Sequence, residues 1–274
     1  MKSRTSFLAG AIAASIGWGL WESQWVRLTE RRVPIARLPD ALVGLRIAHL
    51  SDLHVGAPAL NGRSLRRGVD LIRDQAPDLI CVTGDLRARV GGDRVLRREL
   101  GRLDAALGCC AILGNHDHAD GHDPFADGTA LTELDGTAFR LLDDERVDLT
   151  HGQQRIAIAG IAPRTFGGAG RPNGHDLRDP AAALAILLCH VPTILDRVAA
   201  NDWDLILAGH LHGGQICVPL PTGKVRLAHL SRNYLEGVYV RDGTVMHVSR
   251  GTGTTFVPIR FAARPEVSVL TLVA

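Results

Sequence analysis

Apolar runs of four to seven residues punctuate the chain, and each ends at a small or polar residue. In the first half, residues 45–50, 79–83 and 109–113 read as buried strands. Between them lie amphipathic stretches. Residues 65–73, stopped by Pro77, read as one helix, and Leu96, Leu100, Leu103 and Leu107 recur at helical spacing as the apolar face of another. Alternating strand and helix argues for layered α/β packing. The second half is richer in strands, at 155–161, 185–189, 205–208, 238–240, 244–248 and 267–272. Arg241-Asp242-Gly243-Thr244 is a hairpin turn signal between two of them. The pattern predicts an α/β fold with two sheets packed face to face and helices outside. Residues 163–179, rich in Gly, Pro and Asn, read as a loop.

The amino terminus follows a different pattern. Lys2 and Arg4 precede an apolar stretch over residues 7–21, which Glu22 interrupts. That stretch is short of the roughly 20 residues that span a bilayer, and a basic flank before a short apolar run is export-signal grammar. Trp18, Trp21 and Trp25 suit a membrane interface, because indole is apolar with one polar handle. Residues 1–25 are therefore expected to be an uncleaved anchor placing the protein on a membrane surface. Basic residues on both flanks leave its orientation open. Residues 26–44, with Pro34, Pro39 and Gly44, are expected to be a linker onto a domain of residues 45–274.

Composition narrows the classes. The net charge of +2 is mixed along 274 residues, and aromatic residues make up only 4%. No basic, aromatic-interleaved strip suggests a nucleic-acid platform, so no nucleic-acid partner is expected. The five cysteines form no CxxC pair and lie mostly in apolar runs, where they read as small buried hydrophobes.

Candidate chemistry sits just after the apolar runs. Five motifs follow in order: Asp52-x-His54, Gly84-Asp85, Gly114-Asn115-His116-Asp117, His190 and Gly209-His210-x-His212. Donors at the ends of successive strands converge on one edge of a sheet. Strand alternation would put Asp52 and His54 on one face, and His210 and His212 likewise. A mixed Asp, His and Asn donor set favours Mn, Fe or Zn over an all-oxygen Mg or Ca cage. Two divalent metal ions would activate a bridging water and clamp a phosphate, with Asp85 as the natural bridge. His116 is placed to protonate the leaving oxygen, and Asp117 to orient its imidazole.

These motifs resemble those of the calcineurin-like metallophosphoesterase superfamily from residue 45 to the end. The resemblance implies a four-layer α/β/β/α sandwich with the metal site at strand ends. It implies Asp52, His54, Asp85 and His212 on one metal, and Asp85, Asn115, His190 and His210 on the other. It also implies His116 with Asp117 as the catalytic pair. The apolar amino terminus, the Gly209-to-Gln215 run, and the segments Pro258-Ile259-Arg260-Phe261 and Pro265-Glu266-Val267 resemble a bacterial membrane-associated branch of that superfamily. That branch implies a phosphate-ester substrate: a phosphodiester, or a lipid-linked nucleotide such as UDP-2,3-diacylglucosamine in lipid A biosynthesis. The competing readings are a broad phosphodiesterase or phosphatase on soluble substrates, and a scaffold that keeps the fold without catalysis.

Other polar residues carry milder expectations. His49 reads as a packed, hydrogen-bonded side chain, and His118, adjoining the Gly114-to-Asp117 motif, is a lesser candidate for lining the pocket. His122, His151, His175, His229 and His247 read as structural or exposed. Arg164, Asn173 and His175 are candidates for contacting a phosphate or head group from the loop.

Overall fold

The computed structural model describes residues 2–57, 59–118, 130–131, 133–167, 174–221, 223–227 and 233–274; His122, Asn173 and His229 lie outside these. After helix α1 (Lys2–Glu22), the chain forms β1 (Arg27–Pro34), β2 (Arg46–Leu50), α2 (Asn61–Arg73), β3 (Leu79–Thr83), α3 (Asp93–Leu100), β4 (Cys109–Ile112) and β5 (Phe139–Leu141). The second half supplies β6 (Glu145–His151), β7 (Gln154–Ile161), α4 (Pro163–Gly167), β8 (Leu184–Cys189) and β9 (Leu205–Ala208). A small hairpin of β10 (Cys217–Leu220) and β11 (Gly223–Arg226) follows, then β12 (Gly237–Arg241), β13 (Thr244–Val248) and β14 (Glu266–Val273).

The strands build two mixed six-stranded sheets, ordered β1-β14-β2-β3-β4-β5 and β12-β13-β9-β8-β7-β6. β2, β3, β4 and β5 run parallel, as do β7, β8, β9 and β13. Parallel strands are covered on both faces, which is why β8 is an unbroken apolar run, β3 is apolar up to Thr83, and both are buried at every position. Ile47, Leu79 and Ile112 of the first sheet pack on Ile158, Ile186, Leu188 and Leu207 of the second. α2 and α3 cover the outer face of the first sheet through Leu65, Val69, Ile72, Leu96 and Leu100. The outer face of the second is covered by α4, the 3-10 turn Pro192–Asp196 and Trp203. The expected sandwich is thus present, with its fourth layer reduced to short turns.

Three expectations need correction. The apolar helical face ends at Leu100, where Gly101 closes α3; Leu103 reaches the core from the following turn. Residues 26–44 are not a free linker. They contain β1, paired in parallel with β14 along its whole length, and they bury Val33, Ile35, Leu38 and Leu42. Its Arg-Leu-Thr-Glu-Arg-Arg start hides the strand because an edge strand with one neighbour needs little apolar alternation.

The expected membrane anchor is also overturned: among the described residues, no helix is long and apolar enough to cross a membrane. Basic, hydroxyl and glycine residues dilute α1, and its last turns belong to the body. The Gly19 carbonyl accepts the Arg260 backbone N–H at 3.1 Å. The buried Glu22 carboxylate accepts the Ala263 N–H at 2.9 Å and the Trp18 indole N–H at 2.9 Å.

Candidate metal centre

All seven expected donors lie just beyond the carboxyl ends of parallel strands. Asp52 and His54 follow β2, Asp85 follows β3 and Asn115 follows β4; His190 follows β8, and His210 and His212 follow β9. The first four come from one sheet and the last three from the other, so the site closes the carboxyl edge of the sandwich. Strand alternation is not what pairs Asp52 with His54, or His210 with His212. Asp52, His54, Asp85, His210 and His212 all adopt positive φ, from 44° to 77°. Left-handed backbone is costly for side-chain-bearing residues and concentrates at functional sites. Here it turns donors from adjacent loops into one pocket.

Two groups of donors result. Asp52, His54, Asp85 and His212 each offer an atom within 4.8 Å of the others, and so do Asp85, His190 and His210. Asp85 belongs to both. Its carboxylate lies 3.1 Å from His190 Nε2 and 3.5 Å from His54 Nε2. His54 Nε2 and His212 Nε2 are 3.2 Å apart, and His212 Nε2 is 3.3 Å from Asp52. His190 and His210 meet at 3.3 Å.

Burial would raise the Asp85 carboxyl, but His190, then His54 and His116, hold it well below the usual range. Burial lowers His54 to about 3 and His210 to about 4, which favours neutral, ligating imidazole. Burial also opposes charge on His190, yet Asp85 and then Asp52 drive it up to about 10. The two carboxylates thus demand a cationic partner. His190 Nδ1 is fixed by the Thr83 carbonyl at 2.7 Å, which leaves Nε2 facing Asp85.

Two glycines are required by close approach. A Cβ at Gly114 would fall on the Asp85 carboxylate, and one at Gly209 on Ser51 Oγ and the Asp52 carboxylate.

Residues 45–214 match the model of the calcineurin-like phosphoesterase family. The chain belongs to that family. Among relatives, it is 30% identical to the uncharacterized metallophosphoesterase YkuE of Bacillus subtilis, over 96% of this chain and 92% of the relative. It is 28% identical to the phosphodiesterase YaeI of Escherichia coli over the full length of both. It is 25% identical to the UDP-2,3-diacylglucosamine pyrophosphatase LpxG of Chlamydia muridarum, over 97% of this chain and 96% of that one. As a calcineurin-like phosphoesterase, it is a hydrolase acting on phosphoester bonds.

The donor set of this phosphoesterase fits divalent cations. Asn115 Oδ1 is buried with no hydrogen-bond partner, an acceptor whose desolvation nothing in the protein offsets. Imidazoles facing each other at 3.2 Å beside two buried carboxylates form a ligand cage rather than an ordinary hydrogen-bonded core.

His116 is half-buried, with its ring edge-on to His54 at 4.9 Å and its backbone N–H on Asp85 at 2.9 Å. The orienting contact expected from Asp117 is not the one observed. The Asp117 carboxylate instead accepts backbone N–H groups from Leu86, Arg87 and Gly114 at 2.8–3.0 Å, and His116 Nδ1 is buried without a partner. Asp117 therefore ties the loop after β3 to the loop after β4.

Arg260 is a buried residue against the donor cluster that the sequence did not single out. Fully buried, it donates to the carbonyls of His212, Ala263, Arg250 and Gly253 and lies 3.3 Å from His212 Nδ1. An arginine in a loop carries no sequence signal of burial; its place in the Pro258–Phe261 segment was the only hint.

His49 and His247 are packed between the sheets, with the two Nδ1 atoms 2.8 Å apart and His49 Nε2 2.8 Å from the Thr83 hydroxyl. Arg164 pairs with Asp143, and His175 with Asp202.

Proposed function

We propose that this phosphoesterase hydrolyses phosphodiester or phosphoanhydride bonds at a two-cation centre, with His116 as the proton donor to the leaving oxygen. Asp52, His54, Asp85 and His212 would hold one cation, and Asp85, Asn115, His190 and His210 the other. When bound, such ions supply Lewis-acid polarisation of the phosphate and a nucleophilic water. The protein's own contribution is positional. Asp85 keeps the two donor groups in register, and its other oxygen receives the His116 amide. That places the His116 ring beside the donors, where it can hand a proton to the departing oxygen. Asp117 supports this indirectly, by fixing the loops that carry Asp85 and Asn115. The observation that carries the reading is the sharing of Asp85 between both donor groups, with His116 hung from the same carboxylate.

The two readings of substrate differ in the head group. The phosphodiesterase relative supports a diester, and the UDP-2,3-diacylglucosamine pyrophosphatase relative supports a lipid-linked nucleotide. The test is hydrolysis by metal-loaded protein of bis-p-nitrophenyl phosphate and UDP-2,3-diacylglucosamine in parallel. His116→Ala should lower kcat by roughly 10²–10⁴-fold while metal content stays at the wild-type level. Loss of metal in that variant would refute the proton-donor role. Activity on the diester alone would sink the lipid-nucleotide reading.

A further inference from the structure

Several of the body's exposed large apolar side chains gather beside the metal centre. Leu227, Phe256 and Val257 are 60%, 49% and 40% exposed. With Gln215, Ile216 and Thr255 they line a cleft of about 300 Å³ that His212 closes on one side. His212 is also a member of the donor cluster, so cleft and cluster share a wall. The size is at the lower end of small-molecule sites.

The cleft is built rather than incidental. Gln215 Nε2 donates to the Thr255 and Val257 carbonyls at 2.8 and 3.1 Å, and its Oε1 accepts the Thr255 N–H at 3.0 Å. Between those anchor points Phe256 is held at φ 58°, and Gln215 itself at φ 48°. Left-handed backbone at an aromatic residue persists only where its surroundings over-determine it. The loop therefore spends conformational strain to present an aromatic ring and a valine within reach of a metal ligand.

A molecule seated across this boundary is anionic at one end and apolar at the other. We infer that the cleft takes an alkyl or acyl chain carried by the phosphoester substrate, adjacent to the scissile phosphate. This rests on the phosphohydrolase reading above and adds a subsite independent of the head group. Leu227, Phe256 and Val257 are the specificity-determining residues.

The test is kcat/KM of metal-loaded protein on 4-nitrophenyl methyl, butyl and octyl phosphodiesters below their aggregation concentrations. Each methylene drawn from water strengthens binding by up to about fourfold, so kcat/KM should rise at least about tenfold from methyl to octyl, mainly through KM. Phe256→Asp and Leu227→Asp should flatten that rise. Val240→Asp, the same change at a 65% exposed position on the edge strand β12, should keep it. A flat wild-type profile with hydrolysis intact would overturn the chain subsite alone. Absence of hydrolysis with every ester would overturn the phosphohydrolase reading as well. A flat profile accompanied by a Phe256→Asp change in sedimentation would assign the cleft to a second copy of the chain.

Discussion

His190 Nε2 and the Asp85 carboxylate meet at 3.1 Å, each carried by a different sheet. Both side chains are almost completely buried. This contact ties the carboxyl edges of the two sheets together at the point where the two donor groups overlap. Asp85→Asn removes a negative charge and one acceptor from both groups. We expect both cations to be lost together, with affinity falling further than the roughly 10- to 100-fold typical of removing an outer-shell partner. Metal content by mass spectrometry checks this; an intact metal pair in the variant would remove the bridging role.

Gly209→Ala places a methyl group on Ser51 Oγ and the Asp52 carboxylate. Both side chains are buried and held by hydrogen bonds, Ser51 Oγ to the Thr83 carbonyl and Asp52 from the His210 N–H, so these bonds must break for the methyl to fit. We expect a loss of about 1–3 kcal/mol in stability, typical of forced overpacking, and weaker Mn binding by calorimetric titration. Gly91→Ala is the control, since a Cβ there meets nothing within 4 Å. Equal Mn affinity in the two variants would refute the role of Gly209 in placing Asp52.

Asp117→Asn separates bracing from orienting. The carboxylate accepts three backbone amides, and an Asn side chain turns one acceptor into a donor facing them. A buried mismatch of this kind costs about 1–3 kcal/mol. The thermal midpoint of metal-free protein should therefore fall. Unchanged metal-free stability with lost turnover would restore the orienting role toward His116.

The buried His49–His247 pair gives a pH dependence with a definite sign. Burial, then Arg31, lowers His247 from 6.5 to about 3. Above pH 6.5 the ring is neutral in folded and unfolded chains alike, so it contributes nothing. As pH falls below 6.5 the unfolded chain takes up a proton that the folded protein refuses, and stability drops until about pH 3. At roughly 1.4 kcal/mol per unit of separation, the loss is on the order of several kcal/mol. Urea unfolding of metal-free protein at several pH values should show this slope, and His247→Gln should reduce it. The same slope in the variant would exclude His247 as its source.

The candidate donors were legible because each follows a largely buried strand that is mostly apolar, interrupted only by residues such as Arg46 and His49 in β2 and Thr83 in β3. Their order along the chain then located the site. What stayed hidden depends on tertiary context. β1 is polar because it is an edge. Arg260 is buried by loops that converge only in the folded chain. The left-handed turns that gather Asp52 with His54 have no periodicity to read, so the strand alternation expected to pair them is not what does. The apolar stretch in α1 gave the opposite error: its composition pointed to lipid, while Gly19 and Glu22 dock its end onto the body. The motif set Asp117 beside His116 in sequence, but that its carboxylate would hold backbone amides was beyond the motif.

The place of β14 sets the order in which this molecule can be assembled. It lies between β1 and β2, two strands that precede it by more than 200 residues, and pairs with both. Until β14 emerges, β1 has no neighbour in the first sheet and β2 has an open edge. Residues of the same late segment reach the centre as well, with the Thr252 and Gly253 amides donating to the Ser51 and Asp52 carbonyls. Such long-range pairing is slow to form and leaves strand edges open meanwhile. A nascent chain stalled before β14 would carry all seven candidate donors and no completed sheet to hold Asp52 in place, so competence for metal waits on β14 rather than growing gradually with the chain.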